Sequence, residues 1–167
     1  MTRALILSDI HGEENNLRWL LEEVWKTVGP IDAYICLGDG VRDFERAESF
    51  IRNRDEHATM YAVRGNCDFI TSYPERLVIH LGGLKIYMTH GHIHRVKSGL
   101  GALIADARKT TAQAVLFGHT HECYCQLEDG LWVVNPGSCG YGGGSAAVID
   151  VADGKISDCR IIRQSDL

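Results

Sequence analysis

The residues Ala4-Leu5-Ile6-Leu7-Ser8-Asp9-Ile10-His11-Gly12 carry the first sign of the fold, because an apolar run ends there in polar side chains. Consecutive apolar residues of this kind are typical of a short strand that is covered on both faces. An amphipathic helix is predicted next, over residues 13–28, with leucine and valine at helical spacing, and Gly29-Pro30 ends it. A buried strand followed by such a helix indicates an α/β fold with parallel strands.

The rest of the chain continues this alternation and then changes to short strands. Further helices are predicted over residues 44–54 and 100–108, and Gly82-Gly83 indicates a β-hairpin. The predicted strands after the first cover residues 33–37, 59–63, 76–81, 84–88, 114–117, 123–127, 131–134, 146–151 and 155–162. The pattern predicts one α/β domain over residues 1–167, parallel in its first half and more antiparallel in its second. Two sheets packed face to face, with helices outside, would fit this pattern.

The composition is that of an ordinary globular domain. The chain has 167 residues, of which 45% are hydrophobic and 23% charged, enough to bury a substantial core. A net charge of −5 and a pI near 5.9 argue against a dedicated nucleic-acid-binding protein, which usually has a basic face. No segment reaches the roughly 18 apolar residues of a membrane span, and the N-terminus lacks the apolar run of a signal peptide. We therefore predict a cytoplasmic protein.

The six cysteines show no CxxC pair and no zinc-finger spacing. In a reducing cytosol we expect free thiols, and Cys36, inside an apolar run, is expected in the core. Cys123 and Cys125 share one face of a predicted strand, but a soft metal site there is disfavoured because structural zinc sites normally have four ligands.

Polar side chains follow directly on most of the predicted strands. Because the loops at the carboxyl ends of strands in α/β sheets converge on one edge, we expect these side chains to meet. Their carboxylate, amide and imidazole groups are ligands of borderline divalent metals. His57 and His80 match no such motif and are expected to be ordinary surface or core residues. The candidate metal ligands are Asp9, His11, Asp39, Asn66, His90, His119 and His121.

Seven candidate ligands are too many for one catalytic zinc ion, which takes three protein ligands and keeps one position open. They suit two divalent ions roughly 3.5–4 Å apart that share a bridging carboxylate and a bridging hydroxide. Such a pair can neutralise a phosphate and activate water near neutral pH. The nucleophile is then expected to be metal-bound hydroxide, and no side chain is assigned a catalytic role.

The ordered series of motifs resembles the calcineurin-like metallophosphoesterase superfamily. The series consists of Asp9-x-His11, Gly38-Asp39, Gly65-Asn66-Cys67-Asp68, His90-Gly91-His92 and Gly118-His119-x-His121. The short length and the Gly-Asn-Cys-Asp variant are most similar to the compact bacterial and archaeal phosphodiesterases of the YfcE type. The match extends from Asp9 to Ser138.

This resemblance implies two mixed β-sheets packed face to face and flanked by helices, as a four-layer sandwich. It also implies cleavage of a small phosphate ester, a diester rather than a monoester, with two divalent ions. Manganese is the first expectation, and iron, nickel, cobalt and zinc are the alternatives. Asp9, His11 and His121 would bind the first metal and Asn66, His90 and His119 the second, with Asp39 bridging both.

The chain departs from the family pattern at two places. Cys67 stands where many members have a histidine that is thought to protonate the leaving group, and a thiol is a poor substitute for imidazolium. Relatives also often carry a proline soon after Gly-His-Thr-His and a Pro-Arg shortly after Asn-Pro-Gly-Ser, where this chain has Glu122-Cys123 and a glycine cluster, Gly140–Gly144. The cluster could cradle a phosphate, but no helix follows it, so a surface loop is favoured. His92 either orients its neighbours or lies solvated in a loop, and His94 is expected at the surface. Arg42 and Arg64 flank the motifs and could reach a phosphate.

A binding module is the alternative to an enzyme. A eukaryotic scaffold subunit of the trafficking retromer has a similar fold and also carries the cysteine variant, with marginal activity. The intact ligand set argues for catalysis, because a pure scaffold has no need of all seven residues. An oligomer is left open, since Trp19, Trp25 and Trp132 could be core or interface residues.

Overall fold

The computed structural model describes residues 1–166, which form ten strands and four α-helices. The strands are β1 (Thr2–Leu7), β2 (Ala33–Cys36), β3 (Thr59–Ala62), β4 (Arg76–Leu81), β5 (Leu84–Thr89), β6 (Ala114–Leu116), β7 (Cys123–Glu128), β8 (Leu131–Pro136), β9 (Ser145–Ala152) and β10 (Lys155–Arg163). The α-helices are α1 (Glu14–Val28), α2 (Val41–Arg46), α3 (Glu48–Arg54) and α4 (Gly101–Lys109). All ten predicted strands are confirmed to within two residues at each end.

The strands form two five-stranded sheets of mixed direction. The first has the order β10-β9-β1-β2-β3, in which β1, β2 and β3 are parallel. The second has the order β4-β5-β6-β8-β7, in which β5, β6 and β8 are parallel. The prediction of a parallel first half and a more antiparallel second half is confirmed, because β4–β5, β7–β8, β9–β10 and β1–β9 are antiparallel pairs, although the three strands at the centre of the second sheet are parallel. Each sheet has three parallel strands whose carboxyl ends can supply loops to a shared site.

The alternation of side chains along each central strand builds three apolar layers. In β1, Ala4 and Ile6 pack into the core between the two sheets, whereas Leu5 and Leu7 pack against α1. A third cluster lies between the outer face of the second sheet and α4. The two-sheet sandwich with helices outside is thereby confirmed. Trp19 and Trp25 border the cluster under α1, and Trp132 borders the core between the sheets.

The helix predicted over residues 44–54 was wrong in its extent. It begins three residues earlier, at Val41, and is divided at Ala47 into α2 and α3. The early start has a tertiary cause, because a carboxylate oxygen of Asp68 accepts hydrogen bonds from the backbone N–H groups of Gly40 and Val41, at 3.0 and 3.2 Å. An acidic group at the first turn satisfies backbone donors that have no partner within the helix.

The expectation that all six cysteines are free thiols was wrong for one pair. Cys125 and Cys159 form a disulfide between β7 and β10. These are edge strands of different sheets, and they contact each other at one side of the sandwich. The other four cysteines, including the buried Cys36, are free. None of the helices within residues 1–166 is long and apolar enough to cross a membrane.

Candidate metal centre

All seven candidate ligands lie at one edge of the sandwich, where loops from both sheets meet. The first sheet contributes four of them through the loops after β1, β2 and β3, and the second sheet contributes three through the loops after β5 and β6. Their ligand atoms fall into two groups joined by Asp39. The structure therefore brings together the whole set that the sequence proposes.

The first group surrounds one carboxylate oxygen of Asp9. Asp9 Oδ1 lies 3.0 Å from His121 Nε2 and 3.4 Å from His11 Nε2. The two imidazole nitrogens are themselves 3.4 Å apart. Three potential ligand atoms thus point to one small volume, which is the arrangement that a divalent cation requires.

The second group surrounds the buried imidazole of His90. His90 Nε2 lies 3.2 Å from Asp39 Oδ2, 3.1 Å from Asn66 Oδ1 and 3.2 Å from His119 Nδ1. Asp39 Oδ2 also lies 3.8 Å from His11 Nε2 in the first group. The position of this carboxylate between the two groups is the one that a bridging ligand would occupy.

Hydrogen bonds behind the ligands fix which atom of each faces the centre. His90 Nδ1 donates to the backbone carbonyl of Leu37 at 2.8 Å, so Nε2 is the ring nitrogen that faces the centre. Asp9 Oδ2 accepts from the Ser8 hydroxyl and from the His119 backbone N–H, at 2.6 and 3.0 Å. Each of these bonds leaves one ligand atom free to point inward.

The backbone is held in a left-handed conformation at five of the seven candidate ligands. Their φ angles lie between 52° and 69°, a region that non-glycine residues rarely adopt. A conformation of this kind costs on the order of 1–3 kcal/mol per residue and is concentrated at functional sites. The strained residues are Asp9, His11, Asp39, His119 and His121.

Burial and mutual charge set the protonation states at the centre. Burial by itself raises the pKa of Asp39, but the hydrogen bond and charge of His90 outweigh it and hold that pKa well below its ordinary value. Burial by itself lowers the pKa of His90. The hydrogen bond to Asp39 and the charges of Asp9 and Asp39 outweigh burial, so the pKa of His90 lies above its ordinary value. Burial and then the charge of His90 lower the pKa of His119 to about 4. His119 is therefore neutral at pH 7 and has a lone pair available to a metal.

The comparison with known families agrees with this geometry. The family model described as the calcineurin-like phosphoesterase superfamily domain matches residues 2–154. The chain belongs to this superfamily. A probable metallophosphoesterase of Bacillus subtilis, YsnB, is 33% identical over 136 residues, which cover 81% of this chain and 73% of that protein. Vacuolar protein sorting-associated protein 29 of Schizosaccharomyces pombe is 31% identical over 138 residues, 81% of this chain and 71% of that protein.

Structural similarity to the superfamily extends over nearly the whole chain. The crystal structure of a predicted phosphoesterase from Streptococcus pneumoniae superposes with a TM-score of 0.75 at 28% identity, and the match covers 98% of this chain and 90% of the other. The resemblance inferred from the ordered motifs is thus confirmed at the level of family and fold.

Four residues of this superfamily member support the centre and were not predicted to do so. The Asp68 carboxylate accepts hydrogen bonds from the backbone N–H groups of Asp39 and Gly65, at 2.7 and 2.8 Å. These bonds are in addition to the two that it accepts at the start of α2. The Asn135 amide donates to Gly118 O and Thr120 Oγ1, which holds the loop after β6. The sequence signal was position: Asp68 ends the Gly65-Asn66-Cys67-Asp68 motif, and Asn135 directly follows the strand predicted over residues 131–134. The remaining two are Ser138, which donates to the Asp9 carbonyl, and Tyr141, which stacks on His121.

The other residues that the sequence singled out lie around the centre rather than in it. His92 lies beside His90 and His119, with ring centroids 5.5 and 6.2 Å away, so it is not a solvated loop residue. His94 was predicted at the surface, which was wrong: its side chain is 7% exposed because it packs on Tyr87 and bonds Asp106 at 3.1 Å.

The two arginines that flank the motifs, and the two histidines outside them, do not belong to the two ligand groups. Arg64 pairs with Glu75 at 3.0 Å, and Arg42 lies beside a cavity next to the centre. His57 and His80, expected to be ordinary surface or core residues, are exposed. Residues 141–143 form the predicted surface loop, although the Tyr141 ring covers the first ligand group.

Replacing Cys67 by serine is expected to change turnover by less than about tenfold. The thiol is close to the centre, within 4.8 Å of ligand atoms of His11 and Asp39, but burial and the Asp39 charge raise its pKa and keep it a weak acid. The measurement is kcat for a 4-nitrophenyl ester, whose leaving group needs little protonation. A loss above about a hundredfold would contradict this expectation, since removal of a working general acid typically costs about 10²–10⁴.

Proposed function

We propose that this chain is a phosphohydrolase that binds two divalent metal ions and cleaves phosphate esters, diesters in preference to monoesters. The observation that carries the proposal is the convergence of two ligand groups on a shared carboxylate, Asp39. In this proposal Asp9, His11 and His121 hold one ion, Asn66, His90 and His119 hold the other, and Asp39 bridges them.

The chemistry of the donor atoms supports a metal better than a purely hydrogen-bonded cluster. His11 Nε2 and His121 Nε2 face each other at 3.4 Å, and both also face Asp9. As a hydrogen-bonded cluster, the two imidazoles would both have to donate to the same Asp9 oxygen and would face each other without a bond, whereas one cation could bind all three atoms, which are ligands of borderline divalent metals. Strained backbone at five ligands is a further sign that the loops are shaped for a purpose other than stability.

The bound ions would supply Lewis acidity, which neutralises phosphate charge and makes water a stronger nucleophile near neutral pH. The side chains contribute the charge balance. Only Asp9 and Asp39 are anionic among the seven candidates, so the ligand set leaves a net positive field for a phosphate. His90 is held in one tautomer by Leu37, and Asp9 is held by Ser8, so the ligands need little rearrangement when substrate binds.

The preference for diesters is supported by two cavities that border the centre. One, of about 360 Å³, is lined in part by His11 and Asp39. The other, of about 350 Å³, is lined in part by His121 and Tyr141. They share no lining residue, but His11 of the first cavity and His121 of the second lie next to each other, with their Nε2 atoms 3.4 Å apart. A diester has a substituent for each cavity, whereas a monoester would leave one of them without a ligand.

Manganese is proposed as the native metal, with iron, nickel, cobalt and zinc as alternatives, since mixed nitrogen and oxygen sites follow metal availability as much as affinity. A cytoplasmic location also remains a prediction.

The test is the metal content of the purified protein, together with hydrolysis of bis(4-nitrophenyl) phosphate and 4-nitrophenyl phosphate, with and without added manganese. We expect about two ions per chain, as in two-metal hydrolases, and metal-dependent turnover that is faster on the diester. Absence of metal binding would overturn the proposal. Faster turnover of the monoester would overturn only the diester preference.

A protein-interaction scaffold is the second candidate. It is supported by the 31% identity to the vacuolar protein sorting-associated protein of Schizosaccharomyces pombe. Tight metal binding without turnover of either ester would favour this candidate over the enzyme.

A further inference from the structure

The larger of the two cavities beside the candidate centre has an apolar mouth. It lies between the start of α2 and the segment that follows Asn66, and its volume of about 360 Å³ is in the range of small-molecule sites. Its lining includes two candidate ligands, His11 and Asp39, and the apolar side chains of Val41, Phe69 and Ile70. A group bound in this cavity would therefore lie next to whatever is bound at the centre.

Two adjacent apolar side chains at this mouth are almost fully exposed. Phe69 is 84% exposed and Ile70 is 80% exposed, and both line the cavity. Single exposed apolar residues are common, but these two are neighbours and both line a cavity that contains two candidate metal ligands. The phenyl ring of Phe69 has no stacking partner within residues 1–166. A planar ring of a ligand could supply one.

The same cavity presents one free cation. Arg42 lines it and forms no ion pair with any residue that the structure describes, whereas Arg46, one turn further along α2, is bound to Glu14 at 2.7 Å. Asp43 and Asp68, which also line the cavity, already accept hydrogen bonds from the backbone. Asp43 accepts one from the Gly12 N–H at 2.9 Å, and Asp68 accepts one from the Asp39 N–H. The Arg42 guanidinium is thus available to a polar or anionic group of a ligand.

We propose that this cavity selects a substrate in which one ester group carries a planar aromatic ring, stacked on Phe69, with a polar substituent bound by Arg42. The inference rests on the proposed function, because it assigns the ring to an ester of the phosphate bound at the centre. A nucleoside and a simple aryl alcohol both supply such a ring. The nucleoside also supplies polar groups for Arg42.

The test is calorimetric binding of phosphates to the manganese-loaded protein, which does not depend on turnover. Phenyl phosphate is compared with methyl phosphate, and thymidine 5′-phosphate separates the nucleoside from the aryl source. The wild-type protein should bind phenyl phosphate about tenfold more tightly than methyl phosphate, as stacking of a base on an aromatic side chain typically achieves. Phe69→Ala should remove this difference and leave methyl phosphate binding unchanged, whereas Phe69→Trp should retain it.

The control variant is Leu127→Ala, because Leu127 is also apolar and 57% exposed but lies on β7, outside the cavity. It should bind both phosphates like the wild type. Arg42→Gln should weaken binding of thymidine 5′-phosphate more than that of phenyl phosphate, whose ring has no polar substituent, and an equal effect on both would overturn the role of Arg42.

Two results separate this inference from the proposed function. Turnover of diesters with no aromatic preference, or a preference that survives Phe69→Ala, would overturn the assignment of the cavity and leave the proposed function intact. An aromatic preference that depends on Phe69, found in a protein that hydrolyses no ester, would support the cavity and overturn the proposed function.

Discussion

Replacing Asp39 by asparagine is expected to abolish metal-dependent ester hydrolysis and to lower the metal content by about one ion per chain. Asp39 Oδ2 is the atom that joins the two ligand groups, 3.2 Å from His90 Nε2 and 3.8 Å from His11 Nε2. An amide oxygen has no formal charge, so it would bridge two cations poorly. Substitution of a residue that hydrogen-bonds to a metal ligand typically lowers metal affinity or activity about 10–100-fold. Loss of the bridging ligand itself should lower the activity by more than that. The measurements are kcat on a chromogenic diester and metal analysis.

The matched control is Asp153→Asn. Asp153 has a φ of 51°, close to the 54° of Asp39, but it is exposed in the turn between β9 and β10. Asparagine tolerates the left-handed conformation, so neither substitution should strain the backbone. The control should keep full turnover and two ions per chain. Retention of most activity in Asp39→Asn would show that this carboxylate does not bridge the metals.

Replacing Gly65 by alanine is expected to have the second largest effect, by displacing Asp39 without changing it. A Cβ atom at Gly65 would lie 2.1 Å from Asp39 Oδ1 and 2.6 Å from the Asp39 backbone nitrogen. That oxygen already accepts the Cys67 N–H at 2.7 Å, so the carboxylate cannot stay in place. Overpacking costs about 1–3 kcal/mol of stability. A displacement of about 1 Å near the chemistry can reduce turnover by roughly a hundredfold.

Gly101→Ala is the control for this variant. A Cβ at Gly101 would have no neighbour within 4 Å, and the residue lies in the first turn of α4. Alanine there should leave turnover unchanged and raise the melting temperature slightly, because alanine favours helix. Thermal melting and turnover are measured on both variants. Wild-type turnover in Gly65→Ala would show that the loops after β2 and β3 do not need this close approach.

Much of the fold can be predicted because the burial pattern of each strand or helix is visible within a short stretch of the sequence. The continuous apolar run of residues 4–7 reflects a strand covered on both faces, and the 3.6-residue spacing in residues 13–28 reflects a helix with one buried face. The candidate ligands were accessible for the same reason. Asp9 and His90 each follow a buried strand immediately, and the carboxyl ends of such strands converge whatever the details of packing.

Contacts between distant segments lay beyond this reasoning. The pairing of Cys125 with Cys159 depends on two edge strands that belong to different sheets and are 34 residues apart. The burial of His94 depends on Asp106 in α4. No local period records either contact, because each follows from the way in which complete layers are stacked.

The sequence by itself determined the alternation of strands and helices, the seven candidate ligands and their order, because strand burial and strand ends are local properties. Only the tertiary structure decided the distances within the two groups around Asp39 that the family resemblance implied, and that Asp68 holds the loops and the start of α2 in place. It alone also placed Phe69 and Arg42 at one cavity beside the centre. These features are distances between side chains from different loops, and such distances exist only once both sheets have packed together.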